Sequence, residues 1–239
     1  MYSLEQRVFE QRYQDGAYLA ETGDWHEDDA AWKAQHVHAM ISNAGLAPRR
    51  IADIGCGSGG VLVQLQAMLM PGTELTGYEI AQPAYRLAGP RANAHLRFVN
   101  GSALDADAHY DLALAMDVFE HVPDYLGFLA RLRYSADRFI FHVPLDLSVR
   151  GLLQDVPMQR RRSVGHLHYF TAATARATLE ESGYRVVDAF YTHAIMQPAP
   201  TAWKQRLRMK PHQWLFRASP ERCATWLGGC SWLVLAEPG

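Results

Sequence analysis

The chain has 239 residues, a formal net charge of -2 and a composition that is 49% hydrophobic and 20% charged, which fits one sizeable domain, or one with a small lid, stable without disulfides or structural metal. The near-neutral balance gives no electrostatic reason to expect nucleic acid or an anionic membrane as partner. Cys56, Cys223 and Cys230 form neither a CxxC pair nor an even framework, the first residues lack the apolar stretch of a leader, and no run approaches the roughly 18 apolar residues of a membrane span, so the expected setting is reducing and cytoplasmic.

Residues 1–30 are polar and aromatic, with Tyr2, Phe9, Tyr13, Tyr18 and Trp25 among acids. Trp32, Val37, Met40 and Ile41 recur near helical spacing and predict a helix over 31–45 that stops at Gly45. From residue 50 short apolar strands alternate with helical stretches, the pattern of an α/β protein with a mostly parallel sheet and helices on both faces. Strands are predicted at 50–54, 74–80, 95–99, 110–116, 137–143, 184–192 and 230–236, seven in all. Helices are predicted at 59–70, 82–89, 124–134 and 171–182, the last begun by Thr171 as N-cap and ended by Gly183. Residues 145–168 read as irregular, with the run Arg160-Arg161-Arg162, and 196–229 as a stretch containing Pro and Trp.

The segment Ile51-Ala-Asp-Ile-Gly-Cys-Gly-Ser-Gly-Gly60 carries an apolar strand into a glycine-rich turn and then a helix. Glycines there permit a sharp turn and a close ligand approach. A plain strand-to-helix turn has the same letters, and Gly55, Gly57 and Gly60 also satisfy the dinucleotide fingerprint, with Glu79 near the place of its ribose acid. The turn alone leaves a nicotinamide enzyme open. Asp53, two residues before the first glycine, tips the balance, together with the segments downstream.

Asp53-Ile-Gly-Cys-Gly-Ser-Gly resembles the first motif of the class I S-adenosylmethionine-dependent methyltransferases, and the match is nearest to the ubiquinone-biosynthesis-type, small-molecule branch. The resemblance implies a Rossmann-like sheet with an antiparallel last strand, which Cys230-Ser-Trp-Leu-Val-Leu-Ala236 resembles. It places Gly55, Cys56 and Gly57 by the methionine moiety of the cofactor and gives Glu79 the ribose hydroxyls, which suit an acceptor-only carboxylate. It sets Ile80 beside the adenine. Asn100-Gly-Ser-Ala103 aligns with a third motif that usually reads Gly-Asp-Ala; Ser102 replaces the acid, so adenine contact near Ser102 and Ala103 is expected without charge assistance. Leu114-Ala-Met-Asp-Val-Phe-Glu-His-Val-Pro-Asp124 resembles the branch's Asp/Asn-x-x-Glu-His segment and puts Asp117 at the carboxyl edge of strand four.

Asp24-Trp-His-Glu-Asp-Asp-Ala-Ala-Trp-Lys-Ala-Gln-His36 is similar to a segment that folds over the cofactor in bacterial relatives; as a surface helix it would simply be anchored by two tryptophans. The resemblance makes 1–45 a helical lid, with Trp25 and Lys33 closing on the cofactor and Lys33 meeting its carboxylate. Residues 46–239 then form the methyltransferase domain, with substrate-loop insertions at 145–168 and 194–229. Gly165-His-Leu-His-Tyr-Phe-Thr171 matches a segment of that branch which follows strand five.

Methyl transfer needs alignment of the nucleophile, and a hydroxyl acceptor also needs a base. Of 11 histidines, His121, His166 and His168 fall at predicted cleft edges, and His166 is the first candidate for base. His121 reads equally as a helix-start residue bonded to backbone, and His142, inside an apolar strand, as a satisfied core histidine. His36-x-His38 and His166-x-His168 lack an acidic or thiol partner at ligand spacing, so no metal is expected. The arginine run reads as a solvated loop rather than an acidic-substrate site. The function expected is transfer of a methyl group from S-adenosylmethionine to a small-molecule acceptor, at oxygen rather than nitrogen. The alternatives are an NAD(P)-dependent oxidoreductase and a non-catalytic cofactor-binding protein.

Overall fold

The computed structural model describes residues 27–193 and 203–239. Its centre is a seven-stranded sheet of order β3-β2-β1-β4-β5-β7-β6. The strands are β1 (Arg50–Ile54), β2 (Glu74–Glu79), β3 (Leu96–Asn100), β4 (Leu112–Met116), β5 (Phe139–Pro144), β6 (Tyr184–His193) and β7 (Cys230–Pro238). The pairs β1–β2, β2–β3, β1–β4 and β4–β5 are parallel, whereas β7 runs antiparallel to both β5 and β6.

Both faces of the sheet are covered, and the period-2 alternation of the strands sends successive residues to two separate cores. Ile51, Leu112, Leu114, Ile140, Leu233 and Leu235 face one core; Ala52, Ala113, Phe139, Phe141, Val143 and Val234 face the other. The first core is closed by helix α1 (Glu27–Asn43) and helix α2 (Gly60–Gln66). In α1 the residues Ala30, Ala34, Val37, Met40 and Ile41 are buried, one stripe at helical spacing. The second core takes Leu129 and Leu132 of helix α4 (Tyr125–Leu132) and Ala175 and Leu179 of helix α7 (Ala172–Glu181). Helix α3 (Gln82–Ala88) links β2 to β3.

The predicted strands are present, with ends displaced by at most two residues. Helix α1 starts earlier than the spacing indicated, and α2 ends at Gln66 rather than 70. Two regions with no predicted helix contain helices. Residues 145–168 hold α5 (Val149–Leu153) and α6 (Val156–Ser163), and the far stretch holds α8 (Trp203–Ala218) and α9 (Pro220–Trp226). Periodicity missed α6 because none of its residues is buried, so it has no apolar stripe to read. Pro211, normally a helix breaker, lies inside α8. Caps shape the short helices: Ser148 Oγ accepts from Gly151 N at 2.9 Å before α5, and Ser219 Oγ from Arg222 N at 3.4 Å before α9. No helix among the described residues is long and apolar enough to cross a membrane.

Candidate active site

The strand order reverses between β1 and β4, where an open α/β sheet leaves a crevice beyond its carboxyl ends. β1 runs out there into the glycine turn. Gly55 N and Cys56 N donate to the Tyr78 carbonyl at 2.8 and 3.0 Å, and Gly59 N closes the turn on Cys56 O at 2.9 Å. Gly55, Gly57 and Gly59 have φ of +70°, +57° and +81°, a region that glycine enters without Cβ strain. A Cβ on Gly59 would also lie 2.5 Å from the Phe98 ring, so that glycine serves packing as well as ligand approach.

Glu79, the last residue of β2, is buried and grips this turn. Its Oε2 accepts from Gly57 N at 2.8 Å and its Oε1 from Ala81 N at 2.7 Å. Burial raises its carboxyl above the usual range, opposed by the backbone N–H groups of Ala81, Gly57 and Ile80. Each oxygen keeps a lone pair for a further donor. Asp53 is 2% exposed, and its Oδ1 has no hydrogen-bond partner among the described residues. Burial pushes its carboxyl up to about 8, against the pull of Lys33 and with a further push from Glu79. Cys56 is buried, and burial raises its thiol well above the ordinary value. Ile80 is exposed beside the turn. Ser102 Oγ accepts from Leu104 N at 3.1 Å, capping a 3₁₀ turn over Ala103–Asp105 that buries Ala103.

Asp117, just past β4, adopts a left-handed φ of +58°. Its Oδ1 accepts from His142 Nδ1 at 2.6 Å and its Oδ2 pairs with Lys33 Nζ at 2.9 Å. Lys33 reaches Asp29 at 3.1 Å, and His142 Nε2 lies 2.9 Å from Thr192 Oγ1. A continuous polar chain thus crosses from α1 through β4 and β5 to β6. Burial alone would raise the Asp117 carboxyl; His142 and Lys33 bring it well below the usual carboxylate range instead. Lys33 is likewise held charged, since Asp117 and Asp29 outweigh its own desolvation. His142 is a core histidine with both ring nitrogens engaged, as its place in an apolar strand implied. Asp29 lay within the matched Asp24–His36 segment without being singled out, and Thr192 had no signal in the sequence.

The turn after β4 supplies a second group. Glu120 has no exposed surface, and neither carboxylate oxygen is hydrogen-bonded among the described residues. Burial, then the nearby Asp117, raises its carboxyl well above the ordinary value. His121 Nδ1 donates to the Gly165 carbonyl at 3.3 Å, the backbone bond foreseen for it. His166 is buried, and its Nδ1 donates to Asp146 Oδ2 at 2.5 Å. The His121 and His166 rings meet edge to face with centroids 4.8 Å apart. Ligand-type atoms of Glu120, His121 and His166 all lie within 4.8 Å of one another. The 165–168 segment is pinned here because Leu167 N and His168 N both donate to the Glu120 carbonyl, at 2.8 and 3.1 Å. His168 is itself a tie, its Nε2 donating to Val122 O at 3.0 Å and its ring packed on Tyr125. Arg160 to Arg162 are exposed on α6, with Arg160 Nε 3.7 Å from Asp146.

Thus β1, β2 and β4 bring Asp53, Gly55, Cys56, Gly57, Glu79 and Asp117 to one edge, and α1 brings Lys33. Lys33, expected to meet a cofactor carboxylate, is paired with Asp117 and Asp29 in this structure. Trp25 lies outside the described residues. Glu120 and Asp146 were missed as site residues. Glu120 stood next to His121 within a matched motif, whereas Asp146 gave no signal beyond following β5. The search for an acid at ligand spacing from His166 failed because the acid comes from 46 residues away, as 166 and 120 show.

Residues 25–189 match the family of methyltransferase domains. A ubiquinone biosynthesis O-methyltransferase of Aromatoleum aromaticum is 34% identical over 89 residues, which are 34% of this chain and 37% of that protein. The chain thus covers little more than a third of the length of the curated relatives it matches first. In fold it is similar to the 1,6-didemethyltoxoflavin-N1-methyltransferase of Burkholderia thailandensis, solved with 1,6-didemethyltoxoflavin and S-adenosylhomocysteine, with a TM-score of 0.63 and 17% identity over 100% of this chain and 91% of that one. Magnesium protoporphyrin IX methyltransferase from Synechocystis, solved with bound S-adenosylhomocysteine, has a TM-score of 0.60 and 16% identity over 87% of this chain and 83% of that one. With the glycine turn, its acids and the Asp117–His121 run inside the matched region, the chain belongs to the methyltransferase-domain family.

Proposed function

We propose that this chain transfers a methyl group from S-adenosylmethionine to a hydroxyl of a small-molecule acceptor. The observation that carries the reading is the presence, on one sheet edge, of the glycine turn gripped by Glu79 and of the Glu120–His121–His166–Asp146 cluster after β4 and β5. Gly55, Cys56, Gly57, Asp53, Asp117 and Lys33 receive the methionine moiety, Glu79 the ribose hydroxyls, and Ile80, Ser102 and Ala103 the adenine. The family match supports methyl transfer over hydride transfer.

Bound S-adenosylmethionine would supply a methyl group activated by its sulfonium, so that in-line attack by the acceptor oxygen would break the S–CH₃ bond and return its electron pair to a neutral thioether. The hydroxyl proton passes to His166 Nε2, because Nδ1–H is committed to Asp146 and fixes the tautomer. His121 and Glu120 border the acceptor, and His168 acts as a positioning group. Oxygen is favoured over nitrogen because a hydroxyl needs the base that this dyad provides.

A second reading rests on Glu120. Two carboxylate oxygens without hydrogen bonds among the described residues, one of them 3.9 Å from His121 Nε2, also suit a divalent cation, which would lower the pKa of an acceptor hydroxyl directly. Chelator treatment abolishes turnover on that reading and leaves it unchanged if His166 acts alone.

Thermal unfolding with ligand tests the main proposal. Saturating S-adenosylhomocysteine, at about 100 times its Kd, stabilises by about 2.7 kcal/mol, a rise in Tm of roughly 5–10 °C for a domain of this size. NAD(P) gives no rise. A shift with NAD(P) alone would overturn the cofactor assignment. Failure to methylate any of a panel of catechols and phenols, despite the S-adenosylhomocysteine shift, would leave a cofactor-binding protein without this activity.

A further inference from the structure

The crossover between β6 and β7 brings together a second set of metal-type side chains, none of which the proposed reaction uses. His193 is the last residue of β6, His212 lies in α8, Cys223 in α9, and Cys230 opens β7. One ligand-type atom from each of His193, His212 and Cys223 lies within 4.8 Å of the other two. Cys230 is paired with His193 in the β6–β7 register, and its thiol interacts with that of Cys223. His193, Cys223 and Cys230 are all buried. The His193 and His212 rings meet edge to face at 5.0 Å, and the Gly228 carbonyl, 3.3 Å from His212 Nε2, holds the second ring in place.

We propose that His193, His212, Cys223 and Cys230 form a structural zinc site that staples α8 and α9 to the sheet. Two imidazoles and two thiols are a donor set that zinc takes in tetrahedral, closed sites. The ligand atoms of such a site stand about 3.5 Å apart, given bonds of about 2.0–2.3 Å. His193, His212 and Cys223 would need to close by roughly 1 Å, and the Cys230 thiol, which lies outside that set and contacts the Gly228 carbonyl at 3.8 Å, would turn in as the fourth ligand. Two thiolates would offset the charge of the cation. The four ligands come from four elements, β6, α8, α9 and β7, so the metal would tie both helices of the crossover to the sheet. The set is distinct from Glu120, His121 and His166 and stands independently of the proposed activity.

The test uses the full chain, stripped with chelator and refilled under reducing conditions with zinc or with cobalt as its spectroscopic stand-in. Expected are one tightly held zinc that survives gel filtration, a thiolate-to-cobalt charge-transfer band, and a zinc-dependent rise in Tm. Cys223→Ser and His212→Ala each lose the tightly held equivalent and weaken or abolish the band, while Glu120→Gln keeps both. His212 is only half-buried on a helix, so His212→Ala retains the fold and reads the site even where Cys223→Ser does not fold. The proposal is overturned by a wild-type chain that retains no zinc, by a cobalt spectrum without the thiolate band, or by a band unchanged in His212→Ala.

Discussion

His166 and Asp53 show how a neighbour or its absence sets what a titratable side chain can do. His166 is oriented through Nδ1 by Asp146 at 2.5 Å, so His166→Ala removes the proposed base together with its orienter's target. We expect kcat to fall about 10²–10⁴-fold with S-adenosylhomocysteine affinity unchanged, read by steady-state kinetics and calorimetry. Asp146→Asn leaves the ring but frees its tautomer and gives a smaller fall. An unchanged kcat in His166→Ala removes it from the chemistry. Asp53 behaves in the opposite way to Asp117. Its folded carboxyl sits at about 8, above its unfolded value, so the native state binds the extra proton. Its stabilising contribution is complete below pH ~4 and is lost as pH rises toward 8. Asp53→Asn should flatten that stretch of the stability profile and gain on wild type as pH rises through it. Denaturant unfolding at pH 5 and pH 8.5 measures this, and equal pH slopes in the two proteins would rule it out. Asp117, held low by His142 and Lys33, contributes in the other direction, with stability lost only as pH falls through its depressed value.

Helix α1 and helix α2 approach so closely that a Cβ on Gly60 would lie 2.9 Å from the Ala30 Cβ. Gly60→Ala must push the helices apart and should cost about 1–3 kcal/mol, the usual price of overpacking. Ala30→Gly in the same chain should recover part of that loss, because it removes the opposing methyl, and a double-mutant cycle by urea unfolding reads the coupling. Additive losses would show that the contact is not shared. This closeness is why α1 was only partly legible in the sequence. Trp32, Val37, Met40 and Ile41 announced an amphipathic helix, but the close contact of Ala30 with Gly60 has no periodic signal. The inner strands β1, β4 and β5 were legible because they are apolar on both faces, and most strands are bounded by Gly, Pro or Asp. The helices α6 and α8 were not, since α6 buries none of its residues and α8 runs through a proline.

At the scale of the molecule, the proposed cofactor side of the site was legible as a cluster because its residues follow one strand each: Asp53 and the glycines after β1, Glu79 at the end of β2, Asp117 after β4. The acceptor side was not, because Glu120, Asp146 and His166 meet only when β4 and β5 lie side by side and the 165–168 segment folds back onto the Glu120 carbonyl. Spacing along the chain carries no record of that return. The antiparallel last strand has a consequence for how the protein is made. β7 does not cap the sheet but lies inside it, bonded to β5 from Phe139 to Pro144 and to β6 from Tyr184 to His193. During synthesis β5 and β6 therefore leave the ribosome with no strand between them. Their N–H and C=O rows stay open to foreign partners until residues 230–238 emerge. The nascent chain completes its sheet late, with the insertion of a single interior strand beside the β6 edge.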